Sequence, residues 1–81
     1  MDEGRARRLI AEELGVAVER VIDSASFADD LGADSLDFVE LTMRFEEMFD
    51  IAVTEDEAHA CSRVADALAL LRSKLPLVRA A

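Results

Sequence analysis

The run from Ser35 to Asp50 constrains the fold of this chain more than any other segment. Phe38, Leu41, Thr42, Phe45 and Phe49 recur there at helical spacing, which predicts a helix over about Ser35 to Phe49 with that face turned inward. Asp34 is the natural N-cap, and Asp37 stands at the third helical position, where its carboxylate can reach back. The opposite face carries Leu36, Val39, Glu40, Met43, Glu46, Glu47 and Asp50. Leu36, Val39 and Met43 form an apolar ridge among carboxylates. Such a ridge reads as a docking surface, with charge steering the encounter and apolar side chains supplying burial.

The flanking segments are helical too. A first helix is expected from about Asp2 to Leu14, with Asp2 and Glu3 at its positive end and Gly15 as the residue past its close. Ala6, Leu9, Ile10 and Leu14 face inward on that reading. A long loop, Val16 to Asp34, follows, anchored to the core by Val16, Val18, Val21, Phe27 and Leu31. Loops of this length in small domains tend to be functional. Thr54-Glu55-Asp56-Glu57 is a capping box for a short third helix reaching about Ala60. Ser62 is the expected cap of a fourth helix, about Arg63 to Lys74, with Val64, Ala67, Leu68 and Leu71 inward. Pro76 stops that helix. No alternating run is bounded by hairpin turns. The expected fold class is all-α: a small bundle of three main helices plus one short helix.

At 81 residues the chain makes one domain near the small end of what folds without staples. A single cysteine, Cys61, excludes an intramolecular disulfide, and nothing suggests a structural zinc. The core must come from Leu, Ile, Val, Ala and Phe. No apolar run approaches the roughly 20 residues that span a bilayer. The N-terminal Met1-Asp2-Glu3-Gly4-Arg5 is charged and lacks a secretory apolar stretch, so a cytoplasmic location is expected.

The formal net charge is −9, which argues against nucleic acid and anionic membranes as partners. Between Asp29 and Glu57 the only basic residue is Arg44, while Arg5, Arg7, Arg8 and then Arg72, Lys74, Arg79 lie toward the two ends. Like charges on one helix cost stability. Their concentration therefore points to an acidic face presented to basic partners.

The stretch Gly32-Ala33-Asp34-Ser35-Leu36-Asp37, with Phe27-Ala28-Asp29-Asp30-Leu31 before it and Phe38-Val39-Glu40-Leu41 after it, resembles the acyl carrier protein family. The resemblance runs from about Leu9 to about Leu71. It implies that Ser35 receives a covalent 4′-phosphopantetheine, whose thiol-ended arm carries acyl groups as thioesters. It implies a carrier rather than an enzyme, monomeric and used in fatty-acid or related acyl-chain biosynthesis. The implied partners are a phosphopantetheinyl transferase and acyl-chain synthases and transferases with basic docking patches. Asp34, Leu36, Asp37, Val39, Glu40, Met43, Glu46 and Glu47 are the expected partner-binding residues. Residues 1–75 are the expected carrier domain and 76–81 a flexible tail.

The local chemistry agrees with modification by another enzyme. A phosphodiester on Ser35 would sit at a helix N-terminus, where free backbone N–H groups and the helix dipole favour an anion. Gly32 allows the tight geometry that leaves the hydroxyl accessible. No Gly-x-Ser-x-Gly elbow is present, and the only histidine, His59, is remote in sequence.

Other patterns are less specific. Placing Asp29 first in a calcium loop puts Glu40 twelfth, but Leu31 and Ala33 then fill oxygen-donor positions and Asp34 replaces the required glycine. No metal ligand is assigned. His59 and Cys61 stand two apart and point in different directions on a helix; Cys61 is expected in the core and His59 at the surface. Compared with the common fatty-acid carriers, Val53-Thr54 stands for Ile-Pro, Phe38 and Phe45 are bulkier inner-face residues, Arg44 adds a cation, and Met48 replaces an acid. Carriers for polyketide, lipid-modification or aminoacyl transfer are the alternatives within the superfamily. An acidic helical adaptor without cofactor is the alternative outside it. Phe38 and Phe45, two turns apart on one side, are expected to restrict the space for a bound acyl chain.

Overall fold

The computed structural model describes residues 2–75. Four α-helices follow in order: α1 (Glu3–Leu14), α2 (Ser35–Phe49), α3 (Glu55–His59) and α4 (Val64–Lys74). A 3-10 turn, Val18–Arg20, interrupts the loop between α1 and α2. The fold is all-α; the only β-type pairing among the described residues is an isolated antiparallel bridge between Ser26 and Arg63. No helix among these residues is long and apolar enough to cross a membrane. The expected tail, residues 76–81, lies outside the described residues.

Local chemistry sets the helix ends. The Asp2 carboxylate accepts the Arg5 N–H at 3.1 Å, and Gly15 closes α1 in the left-handed conformation, φ 67°. Asp50 takes the same role after α2 at φ 56°, a conformation that aspartate tolerates better than most side chains. Its N–H and that of Ile51 both donate to the Glu46 carbonyl. In α3 the Thr54 hydroxyl accepts the Glu57 N–H at 3.1 Å, while the Glu57 carboxylate accepts the Thr54 N–H at 2.9 Å.

The inward stripes meet as their spacing predicts. Ala6, Leu9 and Ile10 of α1, Leu41 and Phe45 of α2, and Val64, Ala67, Leu68 and Leu71 of α4 are buried together. The loop adds Val21, Ala25, Phe27 and Leu31. Leu14, Val16, Phe38, Phe49 and Cys61 are half-buried against that core. Truncating a buried leucine of this set is worth about 2–5 kcal/mol.

Two expectations are corrected. Val18 does not anchor the loop: it opens the 3-10 turn and is 39% exposed. Ser62 does not cap α4. Arg63 occupies the N-cap position, and its side chain can only donate, so Asp66 satisfies the free donors from inside the helix. Its carboxylate accepts the N–H groups of Ser62 (3.1 Å) and Arg63 (3.0 Å). These two bonds draw the Asp66 carboxyl below the usual aspartate range.

Long-range bonds hold the loop. The N–H groups of Val64 and Ala65 donate to the carbonyls of Ala25 and Asp23, and that of Phe27 donates to Ser62, each at 3.0 Å. The Arg7 guanidinium donates to the Val21 carbonyl at 2.8 Å and pairs with Asp23. The segment ahead of α2 is thereby stitched to the start of α4.

Candidate functional site

The loop delivers Ser35 through a run of short-range bonds. The Ser26 N–H donates to the Asp30 carboxylate at 2.7 Å, and the Ser26 hydroxyl accepts the Asp29 N–H at 3.0 Å. Gly32 then turns the chain at φ 72°, in the left-handed region that an L side chain resists. The Ala33 N–H returns to the Phe27 carbonyl at 2.8 Å. Asp34 and Asp37 close the capping box: the Asp34 carboxylate accepts the Asp37 N–H at 2.8 Å, and the Asp37 carboxylate accepts the Asp34 N–H at 3.2 Å. Ser35 is the first residue of α2 and is exposed.

A groove of about 520 Å³ opens beside it, between α2 and α3. Its walls come from Phe38, Val39, Thr42, Met43 and Glu46 of α2, from Glu55, Ala58 and His59 of α3, and from the loop at Ser26–Ala28. Ala33, Asp34, Ser35, Val53, Thr54, Cys61 and Ser62 complete it. Deeper in, a void of about 20 Å³ is bounded by Leu41, Phe45, Ala67, Leu70 and Leu71. Phe27, Phe38, Thr42, Val53, Ala58 and Cys61 line both spaces. Phe27 and Phe38 meet edge-to-face there, ring centroids 5.3 Å apart at 66°, a contact worth about 0.5–1.5 kcal/mol beyond burial.

Leu36, Val39 and Met43 are 67%, 54% and 55% exposed, so the ridge inferred from the sequence stands out from α2. Asp34, Glu40 and Glu47 are exposed beside it. Glu46 is different. It is half-buried, and its carboxylate accepts the Val53 N–H at 2.8 Å, tying α2 to the segment ahead of α3. Asp37 is likewise half-buried and engaged in the cap.

Arg44 does not face the ridge. It reaches α1, 3.1 Å from Glu13 and 3.9 Å from Glu12. A hydrogen bond to Glu13, and then the charges of Glu13, Asp37 and Asp34, push the Glu40 carboxyl above the usual range. No sequence spacing announced this cluster; the lone cation in an acidic stretch was its only signal.

Cys61 is half-buried, and burial, with the nearby charges of Asp66 and Glu57, pushes its thiol up, away from the reactive thiolate. Its Sγ donates to the Glu57 carbonyl at 3.5 Å. His59 is exposed at the close of α3. Among the described residues no three His, Cys, Asp or Glu side chains converge as a metal site.

Residues 5–71 match the family described as "Phosphopantetheine attachment site". An acyl carrier protein of Rhodopseudomonas palustris is 52% identical over 67 residues, covering 83% of this chain and 85% of that one. An acyl carrier protein of Nitrobacter winogradskyi matches with the same identity and coverage. The crystal structure of an acyl carrier protein from Thermotoga maritima superposes with a TM-score of 0.75 at 26% identity, over 89% of this chain and 84% of that one. The chain therefore belongs to the acyl carrier protein family, a carrier in acyl-chain biosynthesis that bears a covalent 4′-phosphopantetheine and is acted on by synthases and transferases rather than being an enzyme itself.

Proposed function

We propose that Ser35 is the attachment point of the phosphopantetheine. The observation that carries this reading is its exposed place at the N-terminus of the fifteen-residue helix α2, on the lip of the groove. The residues fit the group. Free N–H groups of the first helical turn favour a phosphodiester, the apolar groove can shelter a chain leaving the same residue, and the rigid loop fixes where that chain starts. When bound, the group supplies the thiol that takes acyl groups as thioesters. The chain's own part is to position and shelter the cargo, each methylene removed from water contributing about 0.8 kcal/mol.

Partner enzymes dock, on this reading, on the Leu36–Val39–Met43 ridge, guided by Asp34, Glu40 and Glu47, with Asp37 and Glu46 adding charge from their half-buried positions. The partners are a phosphopantetheinyl transferase and acyl-chain synthases and transferases with basic docking patches. On this reading the carrier domain, residues 1–75, works as a monomer in fatty-acid biosynthesis in the cytoplasm; the acyl carrier relatives support the carrier role itself.

Incubation with coenzyme A and a phosphopantetheinyl transferase tests the attachment by intact mass. The wild type should gain one phosphopantetheine and Ser35→Ala none, with the helical circular dichroism unchanged. A normal gain in Ser35→Ala would sink the assignment.

A further inference from the structure

The outer groove and the inner void share a wall, and we infer that Phe38 sets how deeply an acyl chain can enter this carrier, restricting it to short or shallowly held cargo. The inference rests on Ser35 as the attachment point. The groove has the volume of a ligand site, on the order of 300–1,000 Å³. The inner void, about 20 Å³, has room for little more than one water-sized sphere. A chain that outgrows the groove can therefore advance only by displacing side chains from a close-packed interior.

Two rings stand in that wall, and they are held differently. Phe27 is 3% exposed on a loop pinned at both peptide groups: its N–H donates to Ser62 and its carbonyl accepts the Ala33 N–H. It has little freedom to yield. Phe38 is half-buried on α2, and its carbonyl accepts the Thr42 hydroxyl at 2.9 Å, so its backbone is fixed while its ring borders open space. Turning that ring aside opens the way inward, but forfeits the edge contact with Phe27. Phe45, expected from the sequence to share this task, borders only the inner void and lies against Phe49 at 6.1 Å. It bounds the far end rather than the entry. Phe38 is thus the specificity-determining residue for cargo length.

The test loads Ser35 with straight-chain acyl-phosphopantetheine of increasing length, verifies loading by intact mass, and follows thioester hydrolysis and melting temperature. In the wild type both forms of protection should rise over short chains and then level off. In Phe38→Leu and Phe38→Ala the levelling should move to longer chains, each further methylene that enters slowing hydrolysis by up to about fourfold. Phe38→Leu keeps an apolar side chain in place should the alanine variant fold poorly. Phe49→Leu, which trims a ring lining neither space, should leave the wild-type limit where it is. Protection that climbs through long chains as steeply in the wild type as in Phe38→Leu overturns the inference, as does the same limit in both. Failure to load at all is read in the mass spectrum and overturns the attachment reading, and this one with it.

Discussion

Arg44 of α2 donates to the Glu13 carboxylate of α1 at 3.1 Å, which makes the single cation of the acidic stretch an interhelical tie. The pair is partly exposed, so Arg44→Ala should cost about 0.2–1 kcal/mol, measured by urea unfolding. The same Glu13 also acts on Glu40, whose carboxyl it raises.

The Glu40 carboxyl is raised in the folded chain, so the fold favours its protonated form. The stability this contributes is fully present below the ordinary glutamate value and is lost as pH rises through the raised one. Glu40→Gln, which stays neutral, should therefore melt higher than wild type at neutral pH and converge with it in acid. Melting curves across pH check this; a variant less stable than wild type at neutral pH would contradict it.

Glu46 and Glu47 are neighbours with separable roles. Removing the carboxylate that accepts the Val53 N–H should cost about 0.5–1.5 kcal/mol in Glu46→Ala, whereas Glu47→Ala should be close to neutral in stability. Glu47→Lys should slow modification by a phosphopantetheinyl transferase, and added salt should narrow the gap, since screening acts over about 10 Å at 0.1 M. Equal unfolding midpoints for the two alanine variants would show that the Glu46 bond contributes nothing.

Asp66 has the opposite sign from Glu40. Its carboxyl is lowered by the N–H groups of Arg63 and Ser62, so its contribution is present above the ordinary aspartate value and lost as pH falls through the lowered one. Asp66→Ala should lower the melting temperature at neutral pH, with the deficit shrinking in strong acid. Ser62→Ala should barely matter, because the bond to Asp66 runs mainly from its backbone.

These last two residues show where sequence reasoning reached and where it stopped. The close of α1 and the start of α2 were legible because Gly15, Asp34 and Asp37 act on their immediate neighbours, and the buried faces because Leu9, Leu41 and Phe45 fall on one helical stripe. Asp2, expected as the first helical residue, is instead the N-cap of α1. Ser62 misled because a serine before a helix is an ordinary cap, while Asp66 reaching back from within the first turn wins with a charged acceptor. The loop resisted for another reason. Its order comes from Ala25, Phe27, Ser62 and Val64 meeting across a long stretch of sequence, which no local spacing encodes. The Phe27–Phe38 edge contact and the Glu13–Arg44–Glu40 cluster were hidden in the same way.

The groove has walls of unequal stiffness. One is a fifteen-residue helix and another a loop laced to α4, but the third is α3, only five residues long. A helix that short does not sustain itself in water, and α3 is held by its capping box, by buried Ala58, and by the Lys74–Glu57 ion pair at 2.8 Å. Local fluctuation should follow that inequality. In hydrogen exchange the amides of Ala58, Ala60 and Cys61 should open well before those of Phe27 and Val64. Any widening of the groove should then begin at that single turn and leave the rest of the bundle standing.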